Sequence, residues 1–394
     1  MIRSGIGREA STGQGGNLSY EGILVKNAAL AYGAGMKTRF FPAYPPSPGT
    51  VIEPEMVDFA PLAGRTVAII GYGTMGRAQA LNLRRSGLDV VVGARQGSPR
   101  GALAVQEGFT VLDPAPAAAA GDPVMLMLPD EAVAGVFDAV IAPYLRPGAT
   151  VGFAHGFGLA FAGITATRDH PCFLAAPKGQ GDMLLSAHAA GGGVPGLLAA
   201  VPEESAATWD LAASYAKAVG CLAGGGFVTT FRDECVSDQF GEQAVLCGGV
   251  IELLKAAFDI MVEAGYGREN AYFECVHELK LITDLIHGHG IDGMRRRISG
   301  TAAYGGLTRG PEIIDQGVRE RMRDVLARIE NGEFAREFLA RHDDPVRGTD
   351  ALAEAEAAGP LAAAGRELQR RLNRFHPRQD PASRKKDPER KDES

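Results

Sequence analysis

Hydrophobic residues in the first part of the chain come alternately as short unbroken runs and as longer segments with helical spacing. Residues 65–95, RTVAIIGYGTMGRAQALNLRRSGLDVVVGAR, predict a strand, a glycine turn, a helix and a second strand. The alternation continues through residues 122–141 and 148–157, and short apolar runs within 170–181 and 194–205 predict further strands. Strands that alternate with helices are typical of a doubly wound parallel sheet, so we expect an N-terminal Rossmann-like α/β domain.

The pattern of apolar positions changes near residue 228. From Ser237 to about Leu339 the apolar residues follow helical spacing, and strand-like runs are almost absent. We therefore divide the ordered chain into a Rossmann-like domain at 61–228 and an all-helical domain at 229–376.

Both ends of the chain have compositions that disfavour a packed core. Residues 1–60 are rich in glycine, serine and proline, and residues 377–394 are charged and almost free of apolar side chains. We expect a flexible N-terminal extension with a lead-in loop, order that begins near Leu62, and a disordered charged tail.

The overall composition, 45% hydrophobic and 22% charged over 394 residues, is that of an ordinary globular protein. The net charge of −7 gives no basic face for nucleic acid. No apolar run reaches the about 18–20 residues that span a membrane, and the N-terminus lacks the apolar segment of a secretory signal. The cysteines lack a CxxC spacing and lie in apolar surroundings, so we expect free buried thiols and a reducing, cytoplasmic location. They are Cys172, Cys221, Cys235, Cys247 and Cys275.

The segment GYGTMG is a GxGxxG motif that directly follows the apolar strand VAII and directly precedes a helix. Its glycines are Gly71, Gly73 and Gly76. In this setting the glycines permit a tight turn and the close approach of a pyrophosphate, while the helix N-terminus offers free N–H groups. The motif predicts a dinucleotide site, with an ordinary glycine turn as the alternative.

The end of the second strand bears on which dinucleotide binds. An NAD site usually has Asp or Glu there, on the ribose 2′-hydroxyl. Here Gly93 and Ala94 occupy that place, and Arg95, Ser98 and Arg100 follow. Cations and a hydroxyl suit a 2′-phosphate, although a single arginine is often only a surface residue. NADPH is therefore the favoured cofactor.

Two pairs of carboxylates are spaced i,i+4 in the predicted helical domain: Asp238 with Glu242, and Glu274 with Glu278. Such spacing places both members of a pair on one helix face, and the mostly apolar flanks disfavour full solvation. Carboxylates without accompanying His or Cys clusters suit a hard cation, and four of them on facing helices could hold two Mg²⁺ ions. Two solvated helix faces are the alternative.

Several stretches together resemble ketol-acid reductoisomerase, the enzyme of branched-chain amino-acid biosynthesis. They are VAIIGYGTMGRAQALNLRRSGLDVVVGAR, VMLMLPDE, FAHGF, APKGQG, DQFGEQAVLCGG, AYFECVHELKLI and MRRRISGTAAYG. The resemblance covers about Leu62 to Leu339, and the overall length is similar to that of the family's short form. It implies a knotted helical domain and a homodimer or higher homo-oligomer with shared active sites.

The resemblance also implies roles for residues at matching positions. Asp238 and Glu242 would bind two Mg²⁺ ions, directly or through outer-shell contacts, together with Glu274 and Glu278 of a second subunit. The other implied active-site residues are His155, Lys178 at a metal-bound water or substrate oxygen, and Ser299 at the substrate carboxylate. The implied dinucleotide contacts are Tyr72, Gly73, Thr74, Met75, Arg95, Ser98, Asp130, Glu131, Ala132, Val133 and Gly181.

The implied reaction is an alkyl shift in an acetohydroxy acid such as 2-acetolactate, followed by hydride transfer from NADPH to give a 2,3-dihydroxy acid. The shift requires that the tertiary hydroxyl loses its proton while the neighbouring carbonyl is polarised, and two closely spaced Mg²⁺ ions serve both needs. We expect Glu278 to relay the proton.

The chain departs from the family's usual residues around the implied site. The departures are Thr74, Met75, Asp182, Leu185, Gly300, Ala303, Gly306 and Ala362, while the residues implied in catalysis and metal binding are retained. This pattern suggests a paralogue with a shifted substrate scope. Two alternatives stay open: a 2-oxo acid reductase without the isomerase step, and a non-catalytic protein that binds a dinucleotide.

Overall fold

The computed structural model of the protein describes residues 40–41 and 43–373. Most of the N-terminal extension, up to residue 39, and the charged tail at 377–394 lie outside the described residues. Those two predictions therefore stay predictions.

Within the described residues, nine strands form a single sheet. The strands are β1 (Val51–Ile52), β2 (Thr66–Ile70), β3 (Asp89–Gly93), β4 (Thr110–Leu112), β5 (Val124–Leu126), β6 (Val151–Phe153), β7 (Cys172–Pro177), β8 (Gly196–Val201) and β9 (Gly226–Val228). Their spatial order is β1-β9-β8-β7-β6-β5-β2-β3-β4. The six strands from β4 to β7 run parallel, and the strand order reverses between β2 and β5, which creates the crevice where α/β proteins bind ligands.

The predicted doubly wound parallel sheet is confirmed, and its edge beyond β7 also contains antiparallel pairs. β8 pairs antiparallel with β7 over all six of its residues, and β1 pairs antiparallel with β9. A buried strand of either direction is a short apolar run, so its direction cannot be read from the hydrophobic pattern.

Helices cover both faces of this sheet. They are α1 (Thr74–Arg85), α2 (Pro99–Gln106), α3 (Pro114–Ala120), α4 (Asp130–Val136), α5 (Phe157–Ala160), α6 (Gly181–Ala189) and α7 (Ala206–Val219). Strand β2 shows the arrangement: Val67 and Ile69 belong to a buried cluster on one face, and Ala68 and Ile70 to a cluster on the other. Because side chains alternate along a strand, a run that is apolar throughout is the expected sequence for a sheet covered on both faces.

The chain is ordered well before Leu62, so the predicted start of order is wrong. Phe40 and Phe41 are buried in the same cluster as the helices on one face of the sheet. Lys217 donates hydrogen bonds to two backbone carbonyls of the segment between β1 and β2. Burial of aromatic side chains outweighs the loop-like composition of this segment.

The described chain from Phe231 onward is helical. Its helices are α8 (Phe231–Gly241), α9 (Gly249–Glu263), α10 (Arg268–Tyr272), α11 (Leu279–Arg295), α12 (Gly300–Ile313), α13 (Gln316–Glu330), α14 (Glu333–Arg341), α15 (Thr349–Ala357) and α16 (Pro360–Leu372). π-helical turns at Glu242–Leu246 and Phe273–His277 lie between these helices. Turns of this kind often occur at functional sites, and each of them contains a carboxylate of a predicted metal pair.

The helical region buries few large apolar side chains in the single chain. Phe258 and Ile329 are its only such residues below 2% exposure among the described residues, whereas many others are exposed to solvent. The exposed ones include Val245, Leu246, Leu253, Ile260, Leu281, Ile291, Tyr304, Leu307 and Ile313. Large exposed apolar areas mark surfaces that contact another molecule. No helix in the described part of the chain combines the length and apolar character needed to cross a membrane.

Candidate active site

A cavity of about 940 Å³ opens at the carboxyl ends of β2, β3, β5 and β6, beside the reversal of strand order. Its wall contains the whole glycine motif, Gly71 to Gly76, and the ends of β3 and β5. It continues to Ala154 and His155 after β6. The size and place of this cavity suit an extended dinucleotide that lies across the strand ends.

The glycine motif adopts the geometry that its residues predict. Gly71 has a φ of +105°, and a Cβ at this position would lie 2.3 Å from the carbonyl oxygen of Met127. A Cβ on Gly76 would lie 2.3 Å from the carbonyl oxygen of Gly71. Side chains at either position would therefore open the turn. Gly73 precedes α1, whose unpaired N–H groups point at the cavity.

The other end of the cavity carries the two arginines that follow β3. Arg95 and Arg100 are exposed and line the wall together with Ser98. Ser98 begins α2, and its Oγ accepts a hydrogen bond from the backbone N–H of Gly101 at 3.1 Å. Two cations, a hydroxyl and a helix N-terminus together form a place for a phosphate group.

Most of the predicted dinucleotide contacts line this cavity, but two do not. The residues on the wall are Gly71, Tyr72, Gly73, Thr74, Met75, Gly76, Arg95, Ser98, Arg100, Asp130, Ala132 and Val133. Glu131 is exposed and is absent from the wall, because the helical rotation of α4 turns it away from its neighbours. Gly181 is buried below α1, where a Cβ would lie 2.6 Å from the carbonyl oxygen of Thr74.

A cluster of charged side chains lies where the cavity meets α8. Lys178 Nζ, which follows β7, donates to Glu234 Oε1 at 2.8 Å and to Asp238 Oδ1 at 2.9 Å. His155 Nδ1 lies 3.1 Å from Glu234 Oε2 and 3.6 Å from Asp238 Oδ2. Ligand atoms of His155, Glu234 and Asp238 all lie within 4.8 Å of one another. The fold therefore brings together residues from β6, β7 and α8.

The protonation states within the cluster are coupled. Burial would raise the pKa of Glu234, but the hydrogen bonds and charges of His155 and Lys178 lower it. Burial opposes the charged form of His155, yet its contacts with Cys235 and Glu234 raise its pKa to about 11. The pKa of Lys178 is raised by the same carboxylates in spite of its burial. The cluster thus holds two cations against two acids at neutral pH.

Two carboxylates at the edge of the cluster, Glu242 and Asp130, have pKa values that burial raises. The pKa of Glu242 is raised, first by burial and then by the charge of Asp238. Burial also raises the pKa of Asp130, which lies 4.0 Å from His155 Nε2 and lines the cavity. Because these carboxylates are partly buried and are repelled by neighbouring acids, an additional cation beside them would be favourable.

Glu234 is the residue that the sequence analysis missed. Its side chain is 1% exposed, and its Oε2 also accepts a hydrogen bond from the backbone N–H of Gly156 at 2.8 Å. Glu234 lies four residues before Asp238, so the i,i+4 row of acids begins one turn earlier than the predicted pair. Extending that row upstream would have found it.

The second predicted carboxylate pair is not part of this cluster. Glu274, Glu278 and Ser299 are all exposed in the single chain, although apolar flanks predicted that the two glutamates avoid full solvation. Ser299 caps α12, where its Oγ accepts a hydrogen bond from Ala302 N at 3.2 Å. A single copy of the chain thus assembles only the first pair beside His155 and Lys178.

The cysteines follow the prediction only in part. All five are free, and Cys172, Cys221 and Cys235 are buried, but Cys247 is exposed and Cys275 is half-buried. Cys235 lies against the active-site cluster, with its Sγ 3.9 Å from His155 Nε2.

Comparisons with known proteins identify the family of the chain. The sequence model of the acetohydroxy acid isomeroreductase NADPH-binding domain matches residues 61–225, and that of the ketol-acid reductoisomerase C-terminal domain matches residues 231–374. The structure of an NADH-preferring ketol-acid reductoisomerase from an uncultured archean is 39% identical and has a TM-score of 0.78. It covers 82% of this chain and 98% of its own.

A more distant structure shares only the fold. It is a semialdehyde dehydrogenase NAD-binding protein from Cupriavidus necator in complex with calcium and NAD, 20% identical, with a TM-score of 0.52. The match covers 69% of this chain and 99% of that protein. The two family matches and the 39% identical structure are far more specific, and they show that the chain belongs to the ketol-acid reductoisomerase family of NAD(P)-dependent enzymes.

Proposed function

We propose that this ketol-acid reductoisomerase uses NADPH and two Mg²⁺ ions, and that each active site is completed by a second copy of the chain. The observation that carries the proposal is the place of His155. It lines the dinucleotide cavity and also lies 3.1 Å from Glu234 in the charged cluster. Hydride donor and acid substrate would therefore meet at this residue.

The donor set fits hard divalent cations. Asp238 and Glu242 lie one helical turn apart, and among the described residues no cation pairs with Glu242. Carboxylate oxygens are the ligands that Mg²⁺ prefers, and the pKa of Glu242 is raised first by burial and then by the neighbouring charge of Asp238. When bound, such ions polarise the substrate carbonyl and lower the pKa of the tertiary hydroxyl.

The chain's own residues would orient the substrate around those ions. Lys178, a cation with a fixed position between Glu234 and Asp238, is placed to hold a substrate oxygen or an ordered water. His155 and the apolar wall of the cavity exclude water from the hydride-transfer end. Glu278 would take the hydroxyl proton, and Ser299 would bind the substrate carboxylate.

A second copy is needed because Glu274, Glu278 and Ser299 lie exposed and apart from the cluster in one chain. The same helical region exposes large apolar side chains such as Leu281 and Tyr304. Association through this surface would bury them and bring a second pair of carboxylates to the site.

NADPH is preferred over NADH in this proposal because Arg95 and Arg100 line the cavity beside Ser98. No carboxylate takes the position at the end of β3 that would bind a ribose 2′-hydroxyl. A cytoplasmic location is a further prediction, supported by five cysteines of which none forms a disulfide.

The test follows NADPH oxidation by the purified protein with 2-acetolactate, with and without Mg²⁺. We expect turnover only with Mg²⁺, and a loss of at least about 100-fold in Glu278→Gln. The control is Glu263→Gln, an exposed acid at the end of α9, which should retain full turnover.

A second substrate separates the complete reaction from simple reduction. Turnover of 3-hydroxy-3-methyl-2-oxobutanoate without turnover of 2-acetolactate would indicate a 2-oxo acid reductase and contradict the proposal. Larger 2-acetolactate homologues, assayed in parallel, report whether the departures near Ser299 have shifted the substrate scope.

A further inference from the structure

A half-buried carboxylate, that of Glu107, lies directly behind the glycine turn. Tyr72, the second residue of the glycine motif, is 2% exposed, and its hydroxyl donates to Glu107 Oε2 at 2.7 Å. Arg77, in the first half of α1, donates to both oxygens of the same carboxylate at 2.5–3.1 Å. The Glu107 carboxylate therefore contacts both the glycine turn, at Tyr72, and the helix that follows the turn, at Arg77.

Glu107 also lies at the C-terminal end of α2, the helix beside the proposed 2′-phosphate contacts Ser98 and Arg100. It caps the C-terminus of α2, the helix that begins after Ser98. Its backbone carbonyl accepts a hydrogen bond from Arg84 at 2.7 Å, and the Arg84 guanidinium lies 4.1 Å above the ring of Phe109. The ring of Phe109 in turn packs edge-on against Tyr72. These contacts join the glycine turn, α1 and α2 into one unit.

We propose that Tyr72, Glu107 and Arg77 are positioning residues that hold the turn in the shape that receives the dinucleotide pyrophosphate. Glu107 and Arg77 are absent from the cavity wall, so they act through the turn and not by contact with the cofactor. The Tyr72 hydroxyl is directed away from the cavity, at Glu107. This inference rests on the proposed dinucleotide site and assigns residues that the reaction itself does not use.

The physical basis is preorganisation. Charge-assisted hydrogen bonds in a buried site are stronger and shorter than neutral ones, and Arg77 and Tyr72 lower the pKa of Glu107 in spite of its burial. A turn that is already rigid loses little conformational freedom when a ligand arrives, whereas a loosened turn must be ordered at the expense of affinity. Loss of the network should therefore weaken dinucleotide binding even when the Tyr72 ring, which lines the cavity, is kept.

The experiment measures the dissociation constant of NADPH by isothermal titration calorimetry on the full-length protein, without substrate or metal. The variants are Tyr72→Phe, Glu107→Ala and the double variant. We expect about a fivefold weaker affinity for Tyr72→Phe and about 10- to 30-fold for Glu107→Ala. The double variant should match Glu107→Ala alone, because the hydroxyl acts only through the carboxylate.

The matched control is Tyr215→Phe. Tyr215 is fully buried, and its hydroxyl donates to Gln79 at 2.5 Å on another part of α1, away from the turn. This variant should lower the melting temperature without changing the affinity for NADPH. If Glu107→Ala does not fold, Glu107→Gln keeps the side-chain shape and should weaken binding to an intermediate extent.

Three outcomes of these titrations would contradict the inference. Unchanged affinity in Tyr72→Phe, independent effects that multiply in the double variant, or an equal loss in Tyr215→Phe would each contradict a positioning role. In all three cases the wild type still binds NADPH, so the proposed function stands. A wild type that binds neither NADPH nor NADH would contradict the proposed function, and this inference with it.

Discussion

At the residue scale, Glu234 decides the arrangement of the charged cluster beside the cavity. It is the most buried acid of the site, and it contacts Lys178, His155 and the Gly156 backbone at the same time. The other members of the cluster are partly exposed, with Lys178 at 33% and Asp238 at 31%. A buried acid that accepts from three neighbours fixes the positions of the groups that we propose to meet the substrate.

We therefore predict that Glu234→Gln impairs both stability and turnover. Glutamine keeps the shape of the glutamate side chain but removes the negative charge that faces Lys178 and His155. The free energy of unfolding should fall by about 2 kcal/mol, less than for a fully buried pair because Lys178 is partly exposed. Turnover should fall about 10- to 100-fold. Urea unfolding and steady-state kinetics measure the two effects, and unchanged values for both would show that the contacts are incidental.

The proposed preference for NADPH over NADH depends on two side chains, Arg95 and Arg100. In the double variant Arg95→Ala with Arg100→Ala, we expect KM for NADPH to rise about 10- to 100-fold while KM for NADH changes little. The reason is that only NADPH carries a phosphate at the ribose. Arg146→Ala, at an exposed arginine outside the cavity wall, serves as the control for lost charge. An equal rise for both cofactors would mean that these arginines do not read the 2′-phosphate.

At the element scale, packing of α6 on α1 joins the dinucleotide site to the catalytic cluster. α6 follows the loop that carries Lys178, and α1 follows the glycine turn. Gly181, at the first position of α6, approaches Thr74 so closely that a side chain there would clash. The two sites are therefore held at a fixed spacing by a helix–helix contact that neither motif reveals alone.

His188, in the last turn of α6, makes this contact sensitive to pH. Burial and the nearby Arg85 lower the pKa of His188 below its usual value of 6.5, and its Nδ1 is buried without a partner among the described residues. The folded state disfavours the protonated form of His188. Its stability is therefore complete above about pH 6.5, the usual pKa of the imidazole, and falls as the pH drops through the lower pKa of the folded state.

The prediction compares melting temperatures at pH 7.5 and pH 5 for the wild type and His188→Gln. The wild type should lose about 1–2 °C more than the variant over this interval, because only the wild type must protonate a partly buried imidazole. His287→Gln, at an exposed histidine of α11, should behave like the wild type. Equal losses in the wild type and His188→Gln would place the pH sensitivity elsewhere.

At the scale of the whole molecule, the single chain has an incomplete core in its helical region and an incomplete set of acids at its site. Both features concern the same helices, which expose Leu281 and Ile291 in α11 and Tyr304 and Leu307 in α12. The exposed Glu278 lies directly before α11 and the exposed Ser299 directly before α12. The proposed association through this surface would account for both.

Hybrid assemblies test the shared site directly. Asp238→Asn and Glu278→Gln should each abolish turnover alone. When the two variants are co-expressed as mixed dimers, about a quarter of the wild-type activity should return, because half of the dimers are hybrids and each hybrid has one intact site. A mixture of separately purified, non-exchanging variants is the control and should stay inactive. No recovery in the co-expressed sample would mean that the two carboxylate pairs do not form a shared site.

The amino-acid sequence by itself determined the local features of this protein. The strand–turn–helix at Gly71 to Gly76, the change from strands to helices and the i,i+4 acids are all set by neighbouring residues, so periodicity and glycine spacing suffice to recognise them. Family motifs then pointed to the chemistry. The places of His155 and Lys178 at strand ends could also be read along the chain.

Only the tertiary structure decided how distant segments meet. The antiparallel edge at β8, the early burial of Phe40 and Phe41, the convergence of His155, Lys178 and Glu234, and the separation of Glu278 from that cluster all depend on contacts between residues far apart in sequence. Strand direction and long-range contact leave no periodic trace, because a buried apolar run or an acidic side chain has the same local pattern whichever neighbour it finally contacts.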